Sequence, residues 1–177
     1  MHRGIMLAIA LTSLTAHALS VNAATQTVQD VRSSNATKAE ASTHRFSITY
    51  PDHWMLIEQS DDSLMIYNQP PLPGGAAPPY MIKTTAGILP VSLGEALQPD
   101  EYDEEYTISQ YVEEVVVNGR LAVRVWNESR GDFRNSVVTY FPLNDRETAY
   151  IISFYSTENE AAEPAILWVH GSFELLR

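Results

Sequence analysis

The side chains in this sequence that could do chemistry are a run of acids, a few histidines and one aromatic-basic pair. Glu95, Asp100, Glu101, Asp103, Glu104, Glu105, Glu113 and Glu114 fall in a window, Thr84 to Gly119, that contains no Lys or Arg. Clustered carboxylates can hold a divalent cation or dock a basic partner, and equally can form a solvated acidic loop. Calcium takes about six to eight oxygens from a loop of fixed geometry, and Asp100 to Glu105 has neither EF-hand spacing nor its glycine. Past the N-terminal leader the histidines are His44, His53 and His170. His44 and His53 flank one short strand, so they could share a zinc ion with a carboxylate such as Asp52, although no paired i, i+4 histidine motif supports this. Arg124 and Trp126 project from one strand face, opposite Leu121, Val123 and Val125. If a helix covers that face Trp126 is core; if none does, the pair forms an aromatic-basic patch suited to a protein interface.

Other chemistries find little support. No cysteine is present, which removes thiolate nucleophiles, thiolate zinc sites and an acylated lipid anchor. No G-x-S-x-G elbow, S-x-x-K pair or glycine-rich phosphate loop occurs, so the expectation is a protein that is not an enzyme and carries no cofactor. The 22 acids and 11 bases give a net charge of −11, which disfavours a nucleic-acid partner. Arg130-Gly131-Asp132 reads as turn chemistry, and Pro70-Pro71-Leu72-Pro73 as a stiff loop.

The elements that would position these residues begin after an export leader. Met1-His2-Arg3-Gly4, the apolar run Ile5 to Leu14 and small residues through Ala24 have the layout of a secretory signal peptide. Cleavage is expected after Ala23, with Ala18 the competing site. Loss of residues 1–23 removes one base, Arg3, and leaves 22 acids against 10 bases, net −12. Residues 24–43, dominated by Ala, Ser, Thr, Asn and Gln, read as a flexible spacer. One folded unit is expected over 44–177.

Within that unit Arg45 to Tyr50, Trp54 to Glu58 and Leu64 to Asn68 read as an antiparallel meander, followed by the proline-rich loop Gln69 to Pro79. Tyr80 to Thr85 resumes as a strand. Ser92-x-x-Glu95 is a capping box for a helix that Pro99 keeps short. Asn118-Gly119, between Ile108–Val117 and Leu121–Trp126, is the strongest hairpin signal. Val137–Phe141 and Ala149–Phe154 form a further pair, and the two-sided apolar run Tyr150 to Phe154 suggests a central strand. Thr157-x-x-Glu160 and Pro164 predict a C-terminal helix that ends at Gly171, with a last strand near Phe173. The fold class is α+β: an antiparallel sheet of about six to eight strands with a short middle helix and a longer C-terminal helix packed on it.

Phe46-Ser47-Ile48-Thr49-Tyr50-Pro51-Asp52-His53-Trp54 resembles the opening of PsbP-like and DcrB-like domains, and Tyr140-Phe141-Pro142-Leu143 and the ending Gly171-Ser172-Phe173-Glu174-Leu175 resemble later features of the same superfamily. The resemblance implies a non-enzymatic accessory protein of a bacterial periplasm or photosynthetic lumen. Such proteins attach to photosystem II, bind the Ran GTPase or serve as small envelope proteins, and share no single activity. It implies a protein partner, with Phe46, Tyr50, Pro51 and Trp54 as core and turn determinants. Many relatives are lipoproteins; this chain lacks the anchoring cysteine, so no stable membrane anchor is expected.

Overall fold

In the computed structural model the described residues are 38–74, 77–98, 107–129, 135–159 and 161–176. The expected signal peptide, the spacer as far as residue 37, the acids Asp100, Glu101, Asp103, Glu104 and Glu105, and Arg130-Gly131-Asp132 lie outside them.

Asn118 and Gly119 adopt φ of 48° and 76°, the two positive values a type I′ turn requires. They join β6 (Thr107–Val117), the longest strand of the sheet, to β7 (Arg120–Ser129). Asn118 Nδ2 also donates to the carbonyls of Gly171 (3.2 Å) and Phe173 (2.9 Å), so the turn residue anchors the C-terminal segment. From β7 the chain continues through β8 (Asn135–Asn144) and β9 (Glu147–Tyr155), antiparallel at each step. Two earlier hairpin-connected strands, β3 (Met55–Gln59) and β4 (Ser63–Tyr67), lead to β5 (Ile82–Leu89), which pairs with β9. The resulting seven-stranded order is β3-β4-β5-β9-β8-β7-β6. The two-sided apolar β9 therefore takes the middle position, as its composition predicts. The short helix α1 (Leu93–Ala96) begins at a complete Ser92–Glu95 capping box.

Three expectations need correction. Lys38–Ser42, assigned to the spacer, is strand β1 and pairs with β2 (Phe46–Pro51). Ala41 is buried while Lys38, Glu40 and Ser42 are not, an alternation too small in side-chain volume to stand out in the sequence. Second, the meander starts one strand late. β2 does not pair with β3; it joins β1 and β10 (Glu174–Leu175) in a separate three-stranded sheet, order β1-β2-β10. Ser172 fixes this long-range arrangement, since its Oγ accepts from Thr49 N (2.9 Å) and donates to Thr49 O (2.8 Å). Third, the C-terminal helix α2 (Ala162–Gly171) has Ala161 at its N-cap, with no side-chain cap, instead of Thr157. Asn159 explains the delay: its Nδ2 donates to Tyr80 O (3.1 Å) and holds the chain in turns until Ala162.

The core lies between one face of the seven-stranded sheet, α2 and the small sheet. Phe173 stacks between Phe46 (5.2 Å between centroids) and Phe141 (4.7 Å), and all three rings are buried. Ile48, Leu64, Ile66, Ile151, Ile166 and Val169 complete the interior. Arg45 clamps the turn before β2 to β9 through two bonds to the Glu147 carboxylate (3.0 and 3.1 Å), which hold that carboxyl below its ordinary range.

Candidate functional site

Antiparallel pairing carries side chains on one sheet face into line across neighbouring strands. Glu113 of β6 stands opposite Arg124 of β7, which stands opposite Thr139 of β8. Ser153 of β9 stands opposite Thr84 of β5. All of these face α2, whose buried stripe Ala162, Ile166, Val169 and His170 closes over them.

His170 joins the two halves of this polar row. Its Nδ1 lies 2.9 Å from Thr139 Oγ1 and its Nε2 lies 3.0 Å from Ser153 Oγ, which is 2.8 Å from Thr84 Oγ1. Arg124 Nε donates to Thr139 Oγ1 (3.2 Å). In the neutral ring one nitrogen donates and the other accepts, so one of Thr139 and Ser153 gives its proton to the ring and the other accepts the ring's. Glu113 Oε1 lies 3.6 Å from the Arg124 guanidinium and accepts from the Trp126 indole N–H (3.4 Å). Burial depresses the His170 pKa to about 3, and the positive charge of Arg124 adds to the effect. Arg124 itself is lowered by burial, with Glu113 opposing the shift.

This row contains a hydrogen-bonded Ser–His pair, yet Thr139, Ser153 and His170 are each 0% exposed. A nucleophile must be reachable by the atom it attacks, and Ser153 is not. The row satisfies buried polar groups across a sheet that is otherwise apolar on this face.

Toward the open end of the same face lies a groove of about 510 Å³ whose walls include Tyr111, Trp126, Glu128, Asn135, Tyr155 and Glu163. The Tyr155 hydroxyl donates to Glu163 (2.7 Å); its pKa is raised by burial and by that carboxylate. Ser109 Oγ donates to Glu128 (3.2 Å). On the other sheet face the β6–β7 hairpin exposes Val112 (50%), Val116 (71%) and Leu121 (60%).

The expected site residues are distributed unevenly over this arrangement. Trp126 is half-buried against the core and contributes one wall of the groove. Arg124 is corrected: its side chain is 13% exposed and bound inward to Glu113 and Thr139, so it is not a surface contact. A helix does cover the Arg124 face. His44 and His53 are both exposed, at opposite ends of β2. At about 3.3 Å per residue that strand holds them roughly 20 Å apart, too far to share one ion. His53 instead lies 3.8 Å from Asp52. Among the described residues no group of three or more His, Asp or Glu side chains is placed to hold a metal. The residue passed over as a participant was His170, whose spacing from Ile166 and Val169 puts it on the buried face of α2.

The class defined by this architecture is an α+β domain with a large antiparallel sheet, a small accessory sheet and a C-terminal helix over a closed core. No family model and no curated protein matches the chain. Among solved structures it is similar to the solution structure of cyanobacterial PsbP from Synechocystis sp. PCC 6803, at 11% identity and a TM-score of 0.48, over 80% of this chain and 94% of that one. It is also similar to a crystal structure from Bacteroides thetaiotaomicron VPI-5482, at 12% identity and a TM-score of 0.38, over 75% of this chain and 45% of that one. At these scores the likeness is one of fold and carries no argument about role, and the α+β assignment rests on the strand order itself.

Proposed function

We propose that this chain is an exported accessory protein that binds a protein partner and catalyses no reaction. The observation that carries the reading is where the reactive and the adhesive groups sit. The Ser153–His170 pair is sealed in the core, whereas Val112, Val116 and Leu121 face outward together on one hairpin. Exposed apolar side chains gathered at one place are the usual mark of an interaction surface. The export reading rests on the signal-peptide layout between Met1 and Ala24. The acidic balance favours a partner with a basic surface over nucleic acid. Cross-linking the full chain in cells that produce it, followed by capture and mass spectrometry, tests the reading. One reproducible protein adduct is the expected result; repeated empty captures contradict it.

A further inference from the structure

The β6 strand, 11 residues long, lies at the end of the seven-stranded sheet and among the described residues pairs on one side only, with β7. A free strand edge offers its backbone N–H and C=O groups to any extended chain unless shortness, a bulge or a cover blunts it. The other end of the sheet is blunted in two of these ways: β3 has 5 residues, and its register shifts between Leu56 and Glu58. β6 shifts register only at its start, between Thr107 and Ser109, and then keeps an unbroken register with β7 from Ser109 to Val117.

The side chains along this edge have a readable pattern. Val112 pairs with Val125 and Glu114 with Val123, on the face away from α2, and Val116 pairs with Leu121 beside them. Val112, Glu114 and Val116 are all exposed, so the free edge presents apolar, acidic and apolar side chains in turn. We propose that β6 accepts an extended segment of a partner protein as an added strand. The segment sets apolar side chains beside Val112 and Val116, and a Lys or Arg between them beside Glu114. Backbone pairing supplies the affinity and the alternating side chains supply the choice of partner. A second copy of this chain is the poorer occupant. It would bring together two molecules of net charge −11 along strands that each carry Glu113 and Glu114, whereas a basic segment complements the base-free window Thr84 to Gly119. The proposal rests on the interaction reading above and names the surface and the chemistry of the partner.

The test uses the full chain and three synthetic peptides the length of β6: a Val-Thr-Lys-Thr repeat, which sets Val and Lys in turn on one strand face (the Val/Lys peptide), the same repeat with Glu in place of Lys (the Val/Glu peptide), and the Val/Lys peptide N-methylated at alternate residues. Calorimetry gives affinity and amide hydrogen exchange gives location. The Val/Lys peptide is expected to bind with a salt-weakened affinity and to slow exchange within residues 107–117. Glu114→Lys is expected to weaken it by roughly tenfold or more. Val116→Thr, which removes apolar contact and leaves charge unchanged, should weaken it to a smaller extent. The Val/Glu and N-methylated peptides should not bind. Equal binding of the N-methylated peptide would reduce the effect to charge attraction and overturn the proposal. Protection confined to residues outside β6, an unchanged affinity in Glu114→Lys, or self-association of the chain through β6 in sedimentation would overturn it too. If the peptides fail while a partner is still captured from cells, the edge is excluded and the interaction reading stands.

Discussion

Protonating His170 should unfold this protein by degrees, because the folded core has no place for a second ring proton. Both ring nitrogens are already engaged, by Thr139 at 2.9 Å and Ser153 at 3.0 Å, and the neighbouring charge is the Arg124 cation. The folded-state pKa lies near 3, below the ordinary 6.5 of an exposed histidine. Between those values the unfolded chain binds a proton that the folded chain refuses, so stability rises with pH across the window. The full contribution is present above about 6.5 and is lost as pH falls toward 3. Each unit is worth about 1.36 kcal/mol, so acidification from pH 7.5 to 5 should remove about 2 kcal/mol through this residue alone. The upper bound across the whole window is about 5 kcal/mol. Urea unfolding of the wild type and of His170→Gln, followed at several pH values between 7.5 and 5, isolates the term, because every other titrating group is common to both. The wild-type midpoint should fall faster than that of the variant. Arg124→Gln should raise the pH at which His170 protonates in the folded protein and so reduce the total loss over the window, since it removes the cation that adds to the burial effect. Parallel stability curves for wild type and His170→Gln would refute the reasoning. So would an NMR titration showing the His170 ring protonating near 6.5 in the folded protein, a measurement that does not depend on the variant folding.

Other expected outcomes concern packing and backbone. Phe173→Ala removes the middle ring of the Phe46–Phe173–Phe141 stack and should cost about 3–5 kcal/mol in urea unfolding. Asn118→Gly keeps a residue suited to φ 48° while losing two bonds to the C-terminal segment, so it should cost about 1–2 kcal/mol, and Asn118→Ala should cost more because it adds left-handed strain. A Cβ at Gly87 would meet Tyr150 Cε1 at 3.0 Å and Asp62 O at 3.2 Å, whereas one at Gly171 meets nothing within 4 Å. Gly87→Ala should therefore lower the melting temperature, at a cost of about 1–3 kcal/mol, and Gly171→Ala should leave it unchanged or raise it.

What could be read from the sequence was local. Asn118-Gly119 announces its turn because few residue pairs accept two positive φ values, and Ser92-x-x-Glu95 announces α1 because its two reciprocal bonds close within four residues. The middle position of β9 was legible from apolar residues on both its faces. What escaped depended on distant partners. β2 abandons its sequence neighbour β3 because Ser172, 123 residues away from Thr49, fixes it to the C-terminus. β1 buries little more than Ala41, so its pattern resembles that of a spacer. The orientation of Arg124 follows from which sheet face α2 covers, and periodicity along β7 identifies two faces without saying which one is roofed. His44 and His53 look close in sequence terms only because a strand separates its ends as far as a straight chain allows.

The central proposal is that this protein binds a partner through the β6–β7 side of its sheet. A photo-reactive residue at Val116 of β6, compared with the same group at Ile57 of β3, tests it in the producing cell, since both positions are exposed and they lie on opposite end strands of one sheet. The account predicts one discrete protein adduct from position 116 and none from position 57. The same adducts from both positions, or none from position 116 while other surface positions cross-link, would contradict it.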